Sequence, residues 1–287
     1  MKNILDDIRV VSLAANIPGP VAAARLRDMG ALVAKVEPPS GDPLAMACTQ
    51  WYADLHVGVR VMQLDLKSNY GRKKLEELLF ESDLLLTASR PASLKRLGLA
   101  WPTLADRYPD LCQVAISGYA PPDANRPGHD LTFQAGAGLL RPPDLPQTLA
   151  ADMAAAERAV TAALALLYNR ERARRAGRVL EEGERFAWTP ISVTAEDIAE
   201  PLRRGLTVPG GLLGGMLPMY NLYRAADGWI AIAAIERHFL TTLALELRVE
   251  QVTKELLTEA FLERSSAEWE EWALSRDIPL AAVREAI

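Results

Sequence analysis

Residues 8–37, IRVVSLAANIPGPVAAARLRDMGALVAKVE, constrain the fold more than any other stretch. IRVVSLAA is a branched apolar run of strand length and NIPGP is a turn. VAAARLRDMG reads as a helix closed by Gly30, and ALVAKVE as a second strand. A strand–helix–strand unit of this size makes its strands parallel, because only a long crossover returns the chain to the same end of a sheet. Parallel strands in turn need helices covering the sheet.

The pattern repeats downstream. VRVMQLDL is a strand, GRKKLEELLFES an amphipathic helix, DLLLTAS a strand, WPTLADRYPDL a short helix and LCQVAISGY another strand. A helix is expected at LTFQAGAGLL, followed by a Pro-rich loop. The longest helix follows Asp152, Ala/Leu-rich at first, basic in its last turns and ended by Gly177. A hairpin is expected around Asp227-Gly228, and a capping box from Ser265 to Glu268 opens a helix near the C-terminus. The expected fold class is α/β, a Rossmann-like doubly wound parallel sheet plus a smaller α/β C-terminal domain. Residues 1–177 form the large domain with its long helix. Residues 178–215, where periodicity yields to Gly and Pro, form a linker, and 216–287 form a small α+β domain.

Composition excludes several classes. A net charge of −5 over 287 residues gives no reason to expect nucleic acid. No uncharged apolar run reaches the ~18 residues that span a bilayer, and acidic residues precede the first apolar run, unlike a signal peptide. Cys48 and Cys112 lack a CxxC partner or a nearby metal-ligating His, so reduced thiols and no metal are expected. The expected location is cytoplasmic, without a membrane partner.

Glu37 ends the second strand, where a nicotinamide-dinucleotide site would place an acid on a ribose hydroxyl. The turn, however, is NIPGP and not G-x-G-x-x-G, and its prolines remove backbone N–H donors that a pyrophosphate would need. The loop still lies at the carboxyl end of a strand, where open α/β sheets bind ligands.

Several blocks in order carry a resemblance: the opening unit through VEPP, then LDLKS, SRPASLKRLGLAWPTL, ISGYA, RPGHDLTFQAGAGLL, GGMLPMYNLYRAADGWIAIAAIERHF and ALSRDIPLAAV. Together they resemble the class III CoA-transferase (CaiB/BaiF) family, closest to its α-methylacyl-CoA racemase branch. The resemblance implies coenzyme A, carried as an acyl-CoA substrate, and a homodimer. It implies His129 and Asp152 as an acid/base pair, with Glu236 orienting His129. In the CoA-transferase branch the residue at Asp152 is instead a nucleophile that carries acyl and then CoA. Ile17, where formyl-CoA transferases place a glutamine, favours the racemase side. Arg60, Arg90, Lys95 and Arg96, with Ile17 and Pro18 of the turn, are the implied CoA contacts, and Lys35 is a further candidate cation.

The residue types suit the chemistry. Inverting a carbon beside a thioester needs one group to remove the α-proton and another to deliver one to the opposite face, and His and Asp serve if their acidities approach each other. Unpaired N–H groups where the long helix begins could receive charge from the thioester oxygen. The residues alone admit plainer readings: Asp152 as the N-cap of the long helix, His129 as a turn residue, Glu236 as a first-turn acid favoured by the helix dipole. Asp130 fits a capping role better than that of a third base.

The chain also departs from the family pattern. LHVGVR stands where a basic cluster precedes LDLKS, Pro38 where an arginine follows the strand-2 acid, and MAAAER where glycines follow Asp152. The middle is short and the usual returning C-terminal segment is missing, which puts an interlocked dimer in doubt. Three readings stand: proton transfer at the α-carbon of an acyl-CoA, CoA transfer between carboxylic acids through an acyl-Asp152 anhydride, and a non-catalytic CoA-binding relative.

Overall fold

The computed structural model describes residues 3–284, which divide into two compact units, the first ending at Ala199 and the second beginning at Glu200. In the first unit the strands are β1 (Arg9–Ser12), β2 (Leu32–Glu37), β3 (Arg60–Gln63), β4 (Leu84–Thr87), β5 (Cys112–Ser117) and β6 (Phe186–Pro190). They form one sheet in the order β3-β2-β1-β4-β5-β6, with every neighbouring pair parallel. This is the doubly wound arrangement expected.

Burial on two faces explains the strand sequences. In β4, Leu84, Leu85 and Leu86 are all fully buried, as a central parallel strand requires. Leu84 and Leu86 join Val10, Val33 and Val114 in one core, whereas Leu85 joins Val11 and Val36 in another, the period-2 alternation of a pleated strand. The first core is covered by α1 (Pro18–Asp28) and α8 (Ala150–Arg175), the second by α4 (Asn69–Phe80) and α6 (Trp101–Arg107). Short helices α2 (Pro43–Ala47), α3 (Thr49–His56), α5 (Pro91–Arg96), α7 (Asp130–Ala137) and α9 (Ile191–Ile198) complete the unit. Along α8, Ala151, Ala155, Ala156, Ala159 and Ala163 are wholly buried, a small-residue stripe that lets α1, α9 and the sheet come close.

Residues 178–215 do not form the expected linker. They supply edge strand β6 and helix α9 to the first unit, and the division between units falls after Ala199. The segment is tied down by polar contacts that composition does not reveal. Buried Arg185 donates to the carbonyls of Tyr108 and Leu111 at 3.1 and 3.4 Å, and Trp101 Nε1 donates to the Glu182 carbonyl at 3.2 Å.

The second unit contains α10 (Glu200–Arg203), the hairpin β7 (Tyr220–Arg224) and β8 (Trp229–Ala233), α11 (Arg237–Glu246), α12 (Lys254–Ala260), α13 (Ser266–Leu274) and β9 (Leu280–Ala282). Its sheet is antiparallel in the order β7-β8-β9, over a core that includes Ile230, Phe261 and Trp269. The hairpin turns through Asp227-Gly228, and Ser265 with Glu268 makes the capping box at the start of α13.

The single glycine of NIPGP is a packing requirement. A Cβ at Gly19, in the first turn of α1, would lie 2.2 Å from the Cβ of Ala14. Gly19→Ala is therefore expected to destabilise the protein by about 1–3 kcal/mol through overpacking. A urea midpoint equal to that of the parent would refute this.

Candidate active site

The carboxyl ends of β1, β4 and β5 surround a cavity of ≈ 180 Å³. It opens where the strand order turns outward in both directions from the β1/β4 pair, the switch point at which doubly wound sheets hold ligands. Asn16 reaches it from the loop after β1, Pro18 from the first turn of α1, Arg90 from the loop after β4, and Ser117 and Gly118 from the end of β5. Arg126, His129 and Asp152 complete its polar lining.

His129 is the N-cap of α7, but its ring makes no side-chain capping bond. Thr132 does the capping: its hydroxyl accepts from the His129 N–H at 3.0 Å and donates to the His129 carbonyl at 2.7 Å. Gly128 fixes the approach, since a Cβ there would come within 2.5 Å of the Phe133 ring. Phe133 in turn meets Tyr119 edge-on, with centroids 5.3 Å apart. The exposed imidazole is thus carried on a packed turn.

Asp152 is buried in the first turn of α8, whose N-cap is Leu149, so the carboxylate does not cap the helix. That task falls to buried Asp130. Its Oδ1 accepts from the Asp152 N–H at 3.0 Å, and its Oδ2 accepts from Gln134 Nε2, which also donates to the Thr148 carbonyl. The Asp152 N–H is therefore already engaged. Burial first, and then the neighbouring Asp130 carboxylate, push the Asp152 acid up to about 7.

Of the residues read as coenzyme A contacts, Pro18 and Arg90 line the cavity. Ile17 packs against the core, and Lys95 and Arg96 are exposed in the last turn of α5. Arg60 begins β3 at the opposite, amino end of the sheet, beside Arg9 and Glu81. Lys35 is buried between Glu37 and Asp42 and offers nothing to a phosphate, while Glu37 accepts from the Tyr52 hydroxyl at 2.8 Å. Glu236 lies in the second unit as the N-cap of α11. Sequence reasoning missed Asn16 and Arg126. Asn16 has φ +65°, a conformation that asparagine tolerates better than most residues. The Arg126 guanidinium rests 4.8 Å from the Tyr119 ring centroid; its signal was its place in RPGHD, three residues before His129.

Cys112 is buried, and burial pushes its thiol up to about 11, whereas Cys48 is exposed. Among the described residues no group of three His, Cys, Asp or Glu side chains could hold a metal ion, and no helix is long and apolar enough to cross a membrane.

A sequence profile of CoA-transferase family III matches residues 5–286. The chain belongs to CoA-transferase family III. Within CoA-transferase family III, it is 30% identical over 261 residues to succinyl-CoA–D-citramalate CoA-transferase of Chloroflexus aurantiacus, covering 84% of this chain and 64% of that protein. It is also 30% identical over 283 residues to α-methylacyl-CoA racemase of Mus musculus, covering 93% and 69% respectively. The match to cinnamoyl-CoA:phenyllactate CoA-transferase of Clostridium sporogenes, 36% identical over 143 residues, covers 45% of this chain and 35% of that protein. The chain thus spans between about a third and two thirds of the length of these curated relatives. In fold it is similar to a hypothetical protein of Mycobacterium tuberculosis, with a TM-score of 0.81 at 22% identity over 99% of this chain and 86% of that one. Relatives in CoA-transferase family III include both CoA-transferases and a racemase.

Proposed function

We propose that the protein moves a proton at the α-carbon of an acyl-CoA thioester, with His129 and Asp152 as the two acid/base groups. The observation that carries this reading is the pairing in one cavity of an imidazole with a buried carboxyl whose acidity is set near 7. A carboxyl whose acidity lies near neutrality can both give and take a proton there, as a reversible inversion requires of its acid/base groups. One group takes the α-proton, and the C–H electron pair moves onto the thioester oxygen as an enolate. The other group returns a proton to the opposite face, re-forming the C–H bond. The Arg90 and Arg126 guanidiniums at the cavity supply positive potential for the enolate oxygen and for the anionic cofactor portion.

A second reading has its own support. Asp152 supplies the one carboxylate among the described residues lining the cavity, and no hydrogen-bond donor among the described residues reaches it. That environment also suits a nucleophile forming an acyl anhydride, as the likeness to CoA-transferases suggests.

The test is α-hydrogen exchange, in which the purified protein is incubated with a 2-methylacyl-CoA in deuterated water and the α-signal followed by NMR. Exchange is expected in the parent and lost in His129→Ala and Asp152→Ala. Glu236→Gln in the same assay reads whether that acid takes part. Absence of exchange in the parent, together with a mass increase on the Asp152 peptide after mixing with acyl-CoA, would replace proton transfer with acyl transfer. Absence of acyl-CoA binding would leave a non-catalytic relative. A homodimer and a cytoplasmic setting belong to the same proposal, and sedimentation reads the first.

A further inference from the structure

Beside the cavity lies an ionic cluster that no step above uses. The Lys35 ammonium, on β2, meets Asp42 Oδ2 at 2.5 Å, Glu37 Oε1 at 3.0 Å and His56 Nε2 at 3.0 Å. Lys35, Glu37 and Asp42 are 1%, 4% and 2% exposed, so this is interior charge. His56 Nδ1 lies 2.6 Å from the Tyr52 carbonyl, which can only accept. Nδ1 therefore carries the proton, and Nε2 is left to accept from Lys35. The ammonium thus hydrogen-bonds to Asp42 and His56 and pairs ionically with Glu37.

Core stability does not explain such an arrangement, because buried ion pairs are often no better than well-packed apolar groups. The free edge of the cluster does. Asp42 Oδ1 points away from Lys35 and accepts from the Leu44 N–H at 2.9 Å and the Asn16 N–H at 3.1 Å. Asn16 is the cavity-lining residue with φ +65°, a left-handed state that is uncommon outside glycine and that asparagine tolerates better than most residues. One carboxylate therefore joins a buried cation to the left-handed residue of the ligand loop.

We infer that Asp42 is a positioning residue for the β1–α1 loop, a clamp fixed from behind by Lys35 that holds Asn16 in its left-handed conformation at the cavity wall. The inference rests on the proposed function only in taking that cavity as the acyl-CoA site.

Hydrogen–deuterium exchange over residues 14–18 tests the clamp whether or not the protein turns over. Asp42→Ala is expected to accelerate exchange in this loop by at least about tenfold, the loss of a charge-assisted hydrogen bond. Leu75→Ala, a core change under α4, serves as the destabilised control and should leave the loop protected. Titration with coenzyme A should show affinity falling about tenfold in Asp42→Ala and by less in Asp42→Asn, which keeps an acceptor for the Asn16 N–H. Loop exchange that rises equally in Asp42→Ala and Leu75→Ala would overturn the clamp. If Asp42→Ala does not fold, Asp42→Asn decides: parent-like loop exchange together with parent-like affinity supports the retained acceptor, and loss of protection equal to unclamped backbone overturns it. Accelerated loop exchange with unchanged coenzyme A affinity would keep the clamp and remove the cavity from acyl-CoA binding.

Discussion

Asp152→Asn is expected to slow α-proton exchange by at least about a thousandfold while making the folded protein more stable at pH 8. Both effects come from the same burial. The Asp152 acid rises from 3.8 to about 7 on folding, so between those values the native chain keeps a proton that the unfolded chain has lost. Stability then falls as pH climbs through that window, and above 7 the buried charge costs on the order of 3–4 kcal/mol. Asparagine carries no such cost. Denaturation curves for variant and parent should nearly coincide at pH 4, separate as pH rises, and hold a constant gap above pH 7. Parallel curves from pH 4 to 8 would mean that the carboxyl does not titrate in this window, and would remove the near-neutral Asp152 acidity on which the proposed proton transfer depends.

The second large effect is expected at Lys35. Lys35→Met leaves Glu37 and Asp42 buried without their cation, at a cost of about 3–5 kcal/mol. For a chain of this size that lowers the melting temperature on the order of 10 °C. The loss should depend on pH. In the parent, burial and the nearby ammonium hold the His56 imidazole below its ordinary value, so the parent itself loses stability as pH falls below about 6.5. In the variant the repelling ammonium is gone and two carboxylates remain, so His56 takes up a proton more readily and restores part of the lost charge balance. The deficit should be larger at pH 8 than at pH 5.5. A deficit that grows on acidification would show that His56 does not respond to this cluster.

Much of the first unit is legible in the sequence because burial on two faces leaves a local mark. LLL in β4 and the alanine stripe of α8 report their surroundings directly. α5 escapes such reading because its six residues, opened by Pro91, are too short to show a period. β6 escapes because FAWTP is an edge strand ending in proline, and its attachment runs through Arg185 to carbonyls more than seventy residues away. The site divides in the same way. RPGHD and Asp152 stand out as family blocks, but the support beneath them consists of side-chain contacts between distant segments. Asp130 reaches the Asp152 N–H across 22 positions, and Asp42 reaches Asn16 across 26. No local pattern encodes such pairs, because each depends on how the loops meet at the end of the sheet.

The double duty of Asp130 limits how this site can be redesigned. Its carboxylate anchors the first turn of α8 and also biases the proton affinity of the residue it anchors. An engineer who neutralises it to make Asp152 a stronger acid also loosens the scaffold on which that acid stands. Acidity and alignment are one adjustable parameter at position 130. Independent tuning has to come from elsewhere in the cavity wall, where Ser117 and Ile191 line the same space.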